Sequence, residues 1–399
     1  MKKTLISSFF IAISTSLYAQ VGIGLTEPKA FLNVAEGKTV LFGADTVGVQ
    51  AGTGKISPKM IWYASNGGFR AGGISDNFAS NNNWDKANVG QYSFASGADT
   101  KASGYYSTAM GNRSMAIGIS STALGSATLA IGSYSTAMGG GTSAFGFYST
   151  AMGRDTRALE AYSTAMGFNT EASGFISTAL GSNTTASGSL STAMGSAVKA
   201  NHIGSFIIGD NSSSLGSYYS TTANNQMMMH FAGGYVFYTS NAGQENSPSG
   251  IELQPNANAW SVISDSTRKE NFRTTDGLLF LKKISSMRLG SWNYKGQDIK
   301  QYRHYGPMAQ DFFAAFGHDE LGIVGEDKSI NQADFDGVNL IAIQALIKEV
   351  EALKAENKNL KQAEMSMKAE TQSMKEKMQQ FERQLSTIMA SGAISRVSK

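Results

Sequence analysis

A fourteen-residue repeat occupies the middle of the chain. The sequence Ser-Thr-Ala-(Met/Leu)-Gly begins at Ser107 and returns at every fourteenth residue up to Ser191, without insertion. With the related segment Ser93–Gly97 as the start of its first unit, the series fills residues 93–204 as eight units. Units this short cannot bury an apolar face alone, so a strict series of them predicts a stacked structure in which each unit packs on the next.

Each unit is itself nearly doubled, and its pattern is that of a strand. Ser107, Ala109 and Gly111 recur seven residues later as Ser114, Ala116 and Gly118. A helix is excluded because glycine at every seventh position would cost about 1 kcal/mol each. The alternation Ser-x-Ala-x-Gly has a period of two, which is typical of a short strand closed by a turn. The sequence therefore predicts a β-solenoid in which each coil stacks on the next.

Small residues line one face of each predicted strand, and apolar residues line the other. We expect a single coil to be too thin to enclose a core, so the apolar row should be buried against sister chains. The alternative is a self-contained β-helix in a monomer. Because the chain contains no cysteine, chain intertwining would have to replace disulfides. The row consists of Met110, Ile117, Leu124, Ile131, Met138, Met152, Met166, Leu180 and Met194.

This repeat resembles the head repeat of trimeric autotransporter adhesins of the YadA type. The resemblance covers residues 93–204 and implies a left-handed parallel β-roll in which three chains form one head. It also implies a homotrimer at the cell surface, with a host or environmental surface as its ligand. The chain departs from those adhesins at its C-terminus, which is a charged helix and not a membrane-embedded β-barrel. The mode of surface attachment therefore does not carry over.

The rest of the composition excludes several classes of site. Without cysteine there is no disulfide scaffold, no Cys-ligated metal and no cysteine nucleophile. The four histidines are scattered, so we expect neither a metal site nor a cofactor. A net charge of +3 is too small to indicate nucleic-acid binding.

The N-terminus has the pattern of a Sec signal peptide. Two lysines precede an apolar run from Leu5 to Ser16, and Ala19 offers a small residue before Gln20. We expect export and cleavage between Ala19 and Gln20; the alternative is a short membrane anchor. No later apolar run approaches 18 residues, so we expect no transmembrane segment in the mature chain. The predicted location is the cell surface, associated with the outer membrane, or extracellular.

Charge rises sharply at residue 264. Residues 93–204 carry nine charged side chains, whereas residues 264–399 carry 38. Together with the repeat, this shift defines the predicted organisation: a mainly β protein that ends in a small α/β domain and a coiled coil. Its segments are a signal peptide (1–19), a β-rich connector (20–92), the β-roll (93–204), a β-neck (205–263), the α/β domain (264–342), the coiled coil (343–391) and a tail (392–399).

The α/β segment contains motifs in a recognisable order. Ser-Asp-x-x-x-Lys-Glu-Asn begins at Ser264 and is followed by Leu-Leu, Tyr-Lys and Gly-x-x-Ala-Gln-Asp. This order resembles the endosialidase-type intramolecular chaperone domain, which helps trimeric β-fibres to assemble and then removes itself by autoproteolysis. The resemblance covers roughly residues 264–345. It implies a scissile bond between Ile263 and Ser264, with Ser264 as nucleophile and Lys269 as its base.

Chemistry supports the pairing of a serine with a lysine. A serine hydroxyl is a weak nucleophile until a neighbour takes its proton. A lysine can do so if it is neutral, which requires burial or a nearby positive charge such as Arg268. If burial is completed only in a trimer, cleavage would report correct assembly. The Ser266-x-x-Lys269 spacing also resembles that of β-lactamases, but the partner motifs of those enzymes are absent.

Four other polar residues are candidates for supporting roles. His304 and Gln310 could orient the scissile segment or donate to its oxyanion. Alternatively, Gln310 satisfies local backbone and His304 is a surface residue. Asp265 and Asn271 could also support the site, or simply cap a helix that starts after Ser266.

A heptad pattern begins at Ile343. With Ile343 at position a, all seven d positions are apolar, and no Gly or Pro occurs from residue 338 to residue 391. We predict a coiled coil of about seven heptads; the resemblance makes it three-stranded, although Asn357 at an a position would suit a dimer. Local helical contacts form faster than non-local β-pairing, so this helix should trimerise first and template the fibre. The d residues are Leu346, Leu353, Leu360, Met367, Met374, Phe381 and Ile388.

These patterns predict an exported trimeric surface fibre or adhesin that is matured by its own serine-type domain, with no activity on external substrates. One alternative is an adhesin that keeps the fold but is not cleaved. Another is a glycan-active fibre enzyme, which would require a pair of carboxylates on a rigid surface. The β-roll offers only Asp99, Asp155, Glu160 and Glu171, and their positions in the sequence indicate no such pair.

Overall fold

The computed structural model describes residues 21–30, 32–43, 56–75, 82–212, 218–239, 250–262, 264 and 266–394. The chain divides into two units, one of residues 1–236 with 253–259 and one of residues 237–252 with 260–399. The predicted signal peptide and its cleavage site at Ala19 and Gln20 lie outside the described residues, as do Ile263, Asp265 and residues 395–399.

The first unit begins with short strands that lead into a long sheet. Strands β1 and β2 pair in parallel, whereas β3, β4 and β5 form an antiparallel series. A short 3-10 turn at Lys86–Asn88 precedes the repeats. The five strands are β1 (Val21–Ile23), β2 (Leu32–Val34), β3 (Val40–Gly43), β4 (Ile56–Tyr63) and β5 (Gly68–Ser75).

The repeats form a parallel β-solenoid, which confirms the predicted fold class. Each unit contributes one longer and one shorter strand, and each residue pairs with the residue fourteen positions along: Thr108 with Thr122, and Thr122 with Thr136. The longer strands belong to a 13-stranded sheet and the shorter ones to a 9-stranded sheet. In chain order the repeat strands are β6 (Phe94–Ala98), β7 (Lys101–Ala102), β8 (Thr108–Asn112), β9 (Met115–Ala116), β10 (Thr122–Ser126), β11 (Leu129–Ala130), β12 (Thr136–Gly140), β13 (Ser143–Ala144), β14 (Thr150–Arg154), β15 (Arg157–Ala158), β16 (Thr164–Phe168), β17 (Glu171–Ala172), β18 (Thr178–Ser182), β19 (Thr185–Ala186), β20 (Thr192–Ser196) and β21 (Val198–Ala200). After the repeats the same two sheets continue with β22 (Phe206–Gly209), β23 (Tyr219–Ser220) and β24 (Met227–His230).

The coil interior consists of alanine methyl groups and small hydroxyl side chains. Ala109 and Ala116, one from each half of a coil, are fully buried, and so are Ser107 and Ser114. The structure corrects the expectation that a single coil is too thin to enclose a core, because side chains of this size let the two sheets approach closely. The larger apolar side chains point outward, as predicted: Met110 is 42% exposed.

The solenoid extends beyond the strict repeat in both directions. Strand β5 pairs in parallel with β6, and β22 and β24 continue the same sheet after β20. Residues of the predicted connector and β-neck therefore form coils. Ile207 keeps the inward position of the repeat alanines and is fully buried. The inward alternation is thus retained where the repeated sequence itself is lost.

A buried arginine closes the N-terminal end of the solenoid. Arg70 is fully buried and donates to the carbonyl oxygens of Phe69 (2.8 Å), Ser93 (3.1 Å) and Ala102 (2.7 Å), and to Ser93 Oγ (2.8 Å). Burial lowers the pKa of Arg70 to about 10, so the guanidinium stays charged at neutral pH. Beside it, Trp84 Nε1 donates to Thr100 O at 2.8 Å. These side chains supply hydrogen-bond donors to backbone carbonyl groups of the terminal coil, which is the role of a solenoid cap.

We expect Arg70→Met to lower the free energy of unfolding by about 3 kcal/mol, because buried carbonyl groups would lose charged donors. Chemical denaturation of the full chain measures this. Arg157→Met is the matched control: that side chain is 65% exposed and its contact with Glu171 is 3.9 Å, so the expected change is below about 0.5 kcal/mol. Equal losses for the two variants would contradict the assignment of Arg70 as a cap.

The second unit contains three helices and short strands. Helix α1 packs against α3 with a close approach at Gly277, where an added Cβ would lie 2.7 Å from the Cβ of Ala345. Helix α3 starts upstream of the predicted coiled-coil segment, and its d-position side chains are largely exposed in the single chain, Phe381 by 73%. The elements are β25 (Tyr235–Tyr238) and β26 (Gly250–Leu253), both of which the unit boundary crosses, β27 (Ser261–Val262), α1 (Gly277–Ser286), β28 (Leu289–Trp292), β29 (His304–Pro307), α2 (Ala309–Phe316) and α3 (Gln332–Ile394).

Candidate active site

Ser264 and Lys269 form a direct hydrogen bond. Lys269 Nζ donates to Ser264 Oγ at 2.7 Å. A 3-10 turn at Ser266–Arg268 lies between them, and the amide of Lys269 donates to Ser266 O at 3.3 Å. This turn shortens the path between two residues five positions apart, so that the lysine amine returns to the serine hydroxyl. The geometry is that of a nucleophile within reach of a base.

Both members of this pair are exposed in the single chain. Transfer of the hydroxyl proton requires a neutral amine, and exclusion of water from the pair favours that form. The single chain therefore has the contact that a Ser-Lys dyad requires but not the desolvation.

The other candidate residues from the sequence that the structure describes are not hydrogen-bonded to this pair. Among the described residues, no hydrogen bond joins Asn271, His304 or Gln310 to Ser264 or Lys269. Gln310 is exposed near the start of α2. Asn271, three residues after the end of the turn, has a left-handed backbone (φ 57°). It is not the cap of α1, because that helix begins at Gly277 and its cap is Asp276, which accepts from the amides of Leu278 and Leu279.

His304 belongs to an aromatic cluster and is not a free surface residue. It lies opposite Trp292 in the β28–β29 pair, with ring centroids 4.7 Å apart, and Tyr294 is 5.6 Å from it. Its Nε2 atom is buried without a hydrogen-bond partner in the single chain. This environment orients the imidazole by packing.

One contact near the pair had no signal in the sequence. Arg273, four residues after Lys269, forms an ion pair with Glu320 at 2.8 Å. It connects the segment that follows Lys269 to the loop after α2. The two residues are 47 positions apart, and both are largely exposed, so the pair adds little stability in the single chain.

Two family models match separate parts of the chain. Residues 89–114, 116–142, 144–170 and 172–197 match the YadA head domain repeat. Residues 264–319 match the chaperone of endosialidase, and this match begins at Ser264. The chain combines YadA head repeats with an endosialidase-type chaperone domain. Both resemblances predicted from the motifs are thereby confirmed, in the predicted order.

These two domains together support a trimeric, adhesin-like fibre that carries an intramolecular chaperone. The head repeats further indicate a cell-surface or extracellular protein. No curated protein matches the chain. None of the helices in the described part of the chain combines the length and the apolar character that a membrane span requires.

Proposed function

We propose that this protein is an exported homotrimeric surface fibre whose chaperone domain releases itself by cleavage between Ile263 and Ser264. The observation that supports this most directly is the 2.7 Å contact between Lys269 Nζ and Ser264 Oγ, at the residue where the chaperone match begins. The head repeats form the fibre that remains, and residues 264–399 form the part that leaves.

In the proposed reaction, neutral Lys269 accepts the hydroxyl proton as Ser264 Oγ attacks the carbonyl carbon of Ile263. The new O–C bond replaces the peptide C–N bond, and Lys269 returns the proton to the departing amine of Ser264. Water then hydrolyses the ester, which leaves a carboxylate on Ile263 and restores the serine hydroxyl. The proposed reaction requires no oxidant, metal or cofactor.

Assembly sets the timing of this reaction. Because Ser264 and Lys269 are exposed in the single chain, the lysine becomes a base only when neighbouring chains exclude water from the pair. Cleavage then follows trimer formation. The released fibre stays trimeric because the kinetic barrier to separating its three chains is high. The alternative function, an uncleaved adhesin, corresponds to a trimer that leaves the pair solvated.

The test is the covalent state of the purified full-length protein. We expect the wild type to yield two fragments, the second beginning at Ser264, by intact mass and N-terminal sequencing. Ser264→Ala and Lys269→Met should remain whole. Ser266→Ala is the matched control, since this serine lies two residues away within the turn and should be cleaved normally. A Ser264→Ala protein that still breaks after residue 263 would refute the mechanism, and an intact wild-type trimer would establish the uncleaved alternative.

A further inference from the structure

Aromatic side chains from Tyr134 to Phe175 form a corner of the solenoid, at the turns that precede the repeat serines. Its tyrosines stack from coil to coil: ring centroids are 4.7 Å apart for Tyr134 and Tyr148 and 5.6 Å apart for Tyr148 and Tyr162, with interplanar angles of 9° and 8°. Stacked rings cover each other's faces, so this row presents ring edges and hydroxyl groups to solvent. The row itself is therefore no platform for a flat ligand.

Two phenylalanines on the same corner are oriented differently. Phe147 lies at 82° to the ring of Tyr148, and Phe175 lies at 86° to that of Tyr162. The tyrosine rings stack along the solenoid axis, so their planes are perpendicular to it. A phenylalanine ring perpendicular to the tyrosine rings therefore has its plane parallel to the axis. The two side chains are 44% and 46% exposed. They are oriented to act as apolar platforms along the fibre.

The spacing of these platforms is two coils. Phe147 and Phe175 occupy equivalent turn positions, and Ala161 stands in the coil between them. Strands in a sheet are about 4.8 Å apart, so the two rings are separated by about 9.6 Å along the axis. Ser133 and Ser189 occupy the same position in the coils beyond. The corner thus alternates a bulky ring with a small residue.

The charge of the corner fits a neutral ligand rich in hydroxyl groups. Glu160 is the only charged residue in the five turns 132–134, 146–148, 160–162, 174–176 and 188–190. Its exposed carboxylate lies between the two phenylalanine coils and can accept hydrogen bonds from hydroxyl groups. The same carboxylate would repel a polyanion.

We propose that this corner binds a neutral, extended β-1,4-linked polysaccharide laid along the solenoid axis. In such a chain successive sugars alternate in the face they present, so every second ring stacks on the same side. Its period is then a disaccharide, which corresponds to the two-coil spacing of Phe147 and Phe175. The inference rests on the proposed role as a surface fibre and names the class of ligand for it, but it does not depend on self-cleavage.

A second copy of the chain fits a different face. The outward row on the longer strands is apolar in every coil from Met110 to Met194, so it offers the continuous surface that a chain–chain interface needs. The aromatic corner is interrupted by Ser133, Ala161 and Ser189, which leaves notches beside the phenylalanines. A ligand whose structure repeats every two coils matches this alternation of phenylalanines and notches. A second copy of the chain, which repeats every coil, matches it less well.

The test uses the full-length protein with cellohexaose and chitohexaose as probes, followed by calorimetry and sedimentation. We expect saturable binding of at least one probe by the wild type. Binding should weaken by about tenfold or more in Phe147→Ala/Phe175→Ala. Phe145→Ala/Phe168→Ala is the control: it removes two similarly exposed rings from other faces and should bind as the wild type does.

Three results would overturn the proposal: no binding of either hexasaccharide, equal binding by the two double variants, or a loss of trimer in Phe147→Ala/Phe175→Ala, which would make the corner a contact between copies. Ser264→Ala separates this inference from the proposed maturation, because an uncleaved chain should bind the probe with unchanged affinity. Loss of binding in Ser264→Ala would also count against an independent site on the solenoid.

Discussion

Replacing Leu353 and Leu360 of α3 by lysine is expected to leave the protein monomeric and uncleaved. Both residues are d positions of the heptad and are 62% exposed in the single chain, so they have no partner surface within it. In a coiled coil these side chains would enter the seam between helices, where a charged group is strongly disfavoured. Without the assembled helices, Ser264 and Lys269 stay exposed to water, so the proposed cleavage is not expected.

Sedimentation and intact mass measured on the same preparations check both consequences. Ala355→Lys/Gln362→Lys adds the same charge at f positions on the outer face of α3 and should leave the trimer and its cleavage intact. A Leu353→Lys/Leu360→Lys monomer that still cut itself after residue 263 would show that the single chain activates Lys269. Assembly would then not control the reaction, although the roles of Ser264 and Lys269 would stand.

The repeat made the solenoid predictable because it specifies the same local structure many times. The period-two alternation of Ser107, Ala109 and Gly111 favours a strand. Because the same sequence returns after fourteen residues, stacked coils pair each residue with the residue fourteen positions along the chain. Segments without the repeat were harder to assign. Phe206 and Met227 are 21 positions apart yet pair in neighbouring strands, and only an inward residue such as Ile207 keeps the pattern. A single apolar residue at the inward position is not enough to predict from the sequence that the solenoid continues beyond the repeats.

The cap and the site show the same limit. Arg70 lies in a nonrepeating segment, and its partners Ser93 and Ala102 are 23 and 32 positions away, so no local pattern indicates that it is buried. Ser264 and Lys269 could be paired beforehand because the resemblance to the endosialidase-type chaperone domain implies the pair, and the two residues are only five positions apart. His304 could not be placed, because its environment depends on Trp292 across a hairpin. Local spacing predicts contacts within a turn, whereas contacts across elements require the fold.

The largest effect on the fibre itself is expected from Gly139→Ala. Gly139 has φ +118°, and a Cβ built there would lie 1.9 Å from the carbonyl oxygen of Gly153 in the next coil. That oxygen is backbone, so it cannot move aside as a flexible side chain could. One methyl group would therefore force neighbouring coils apart. The expected loss is about 4 kcal/mol in the free energy of unfolding, at the upper end for a single substitution.

Gly140 provides a control in the same strand. Nothing lies within 4 Å of a Cβ built at Gly140, so Gly140→Ala should leave stability unchanged or raise it by about 0.5 kcal/mol through the unfolded state. Thermal unfolding of the two full-length variants, with limited proteolysis to locate the damage, compares them directly. Proteolysis of Gly139→Ala should begin in the coils around β12 and β14. If both variants unfolded alike, close approach of glycine backbones would not be what sets the distance between coils.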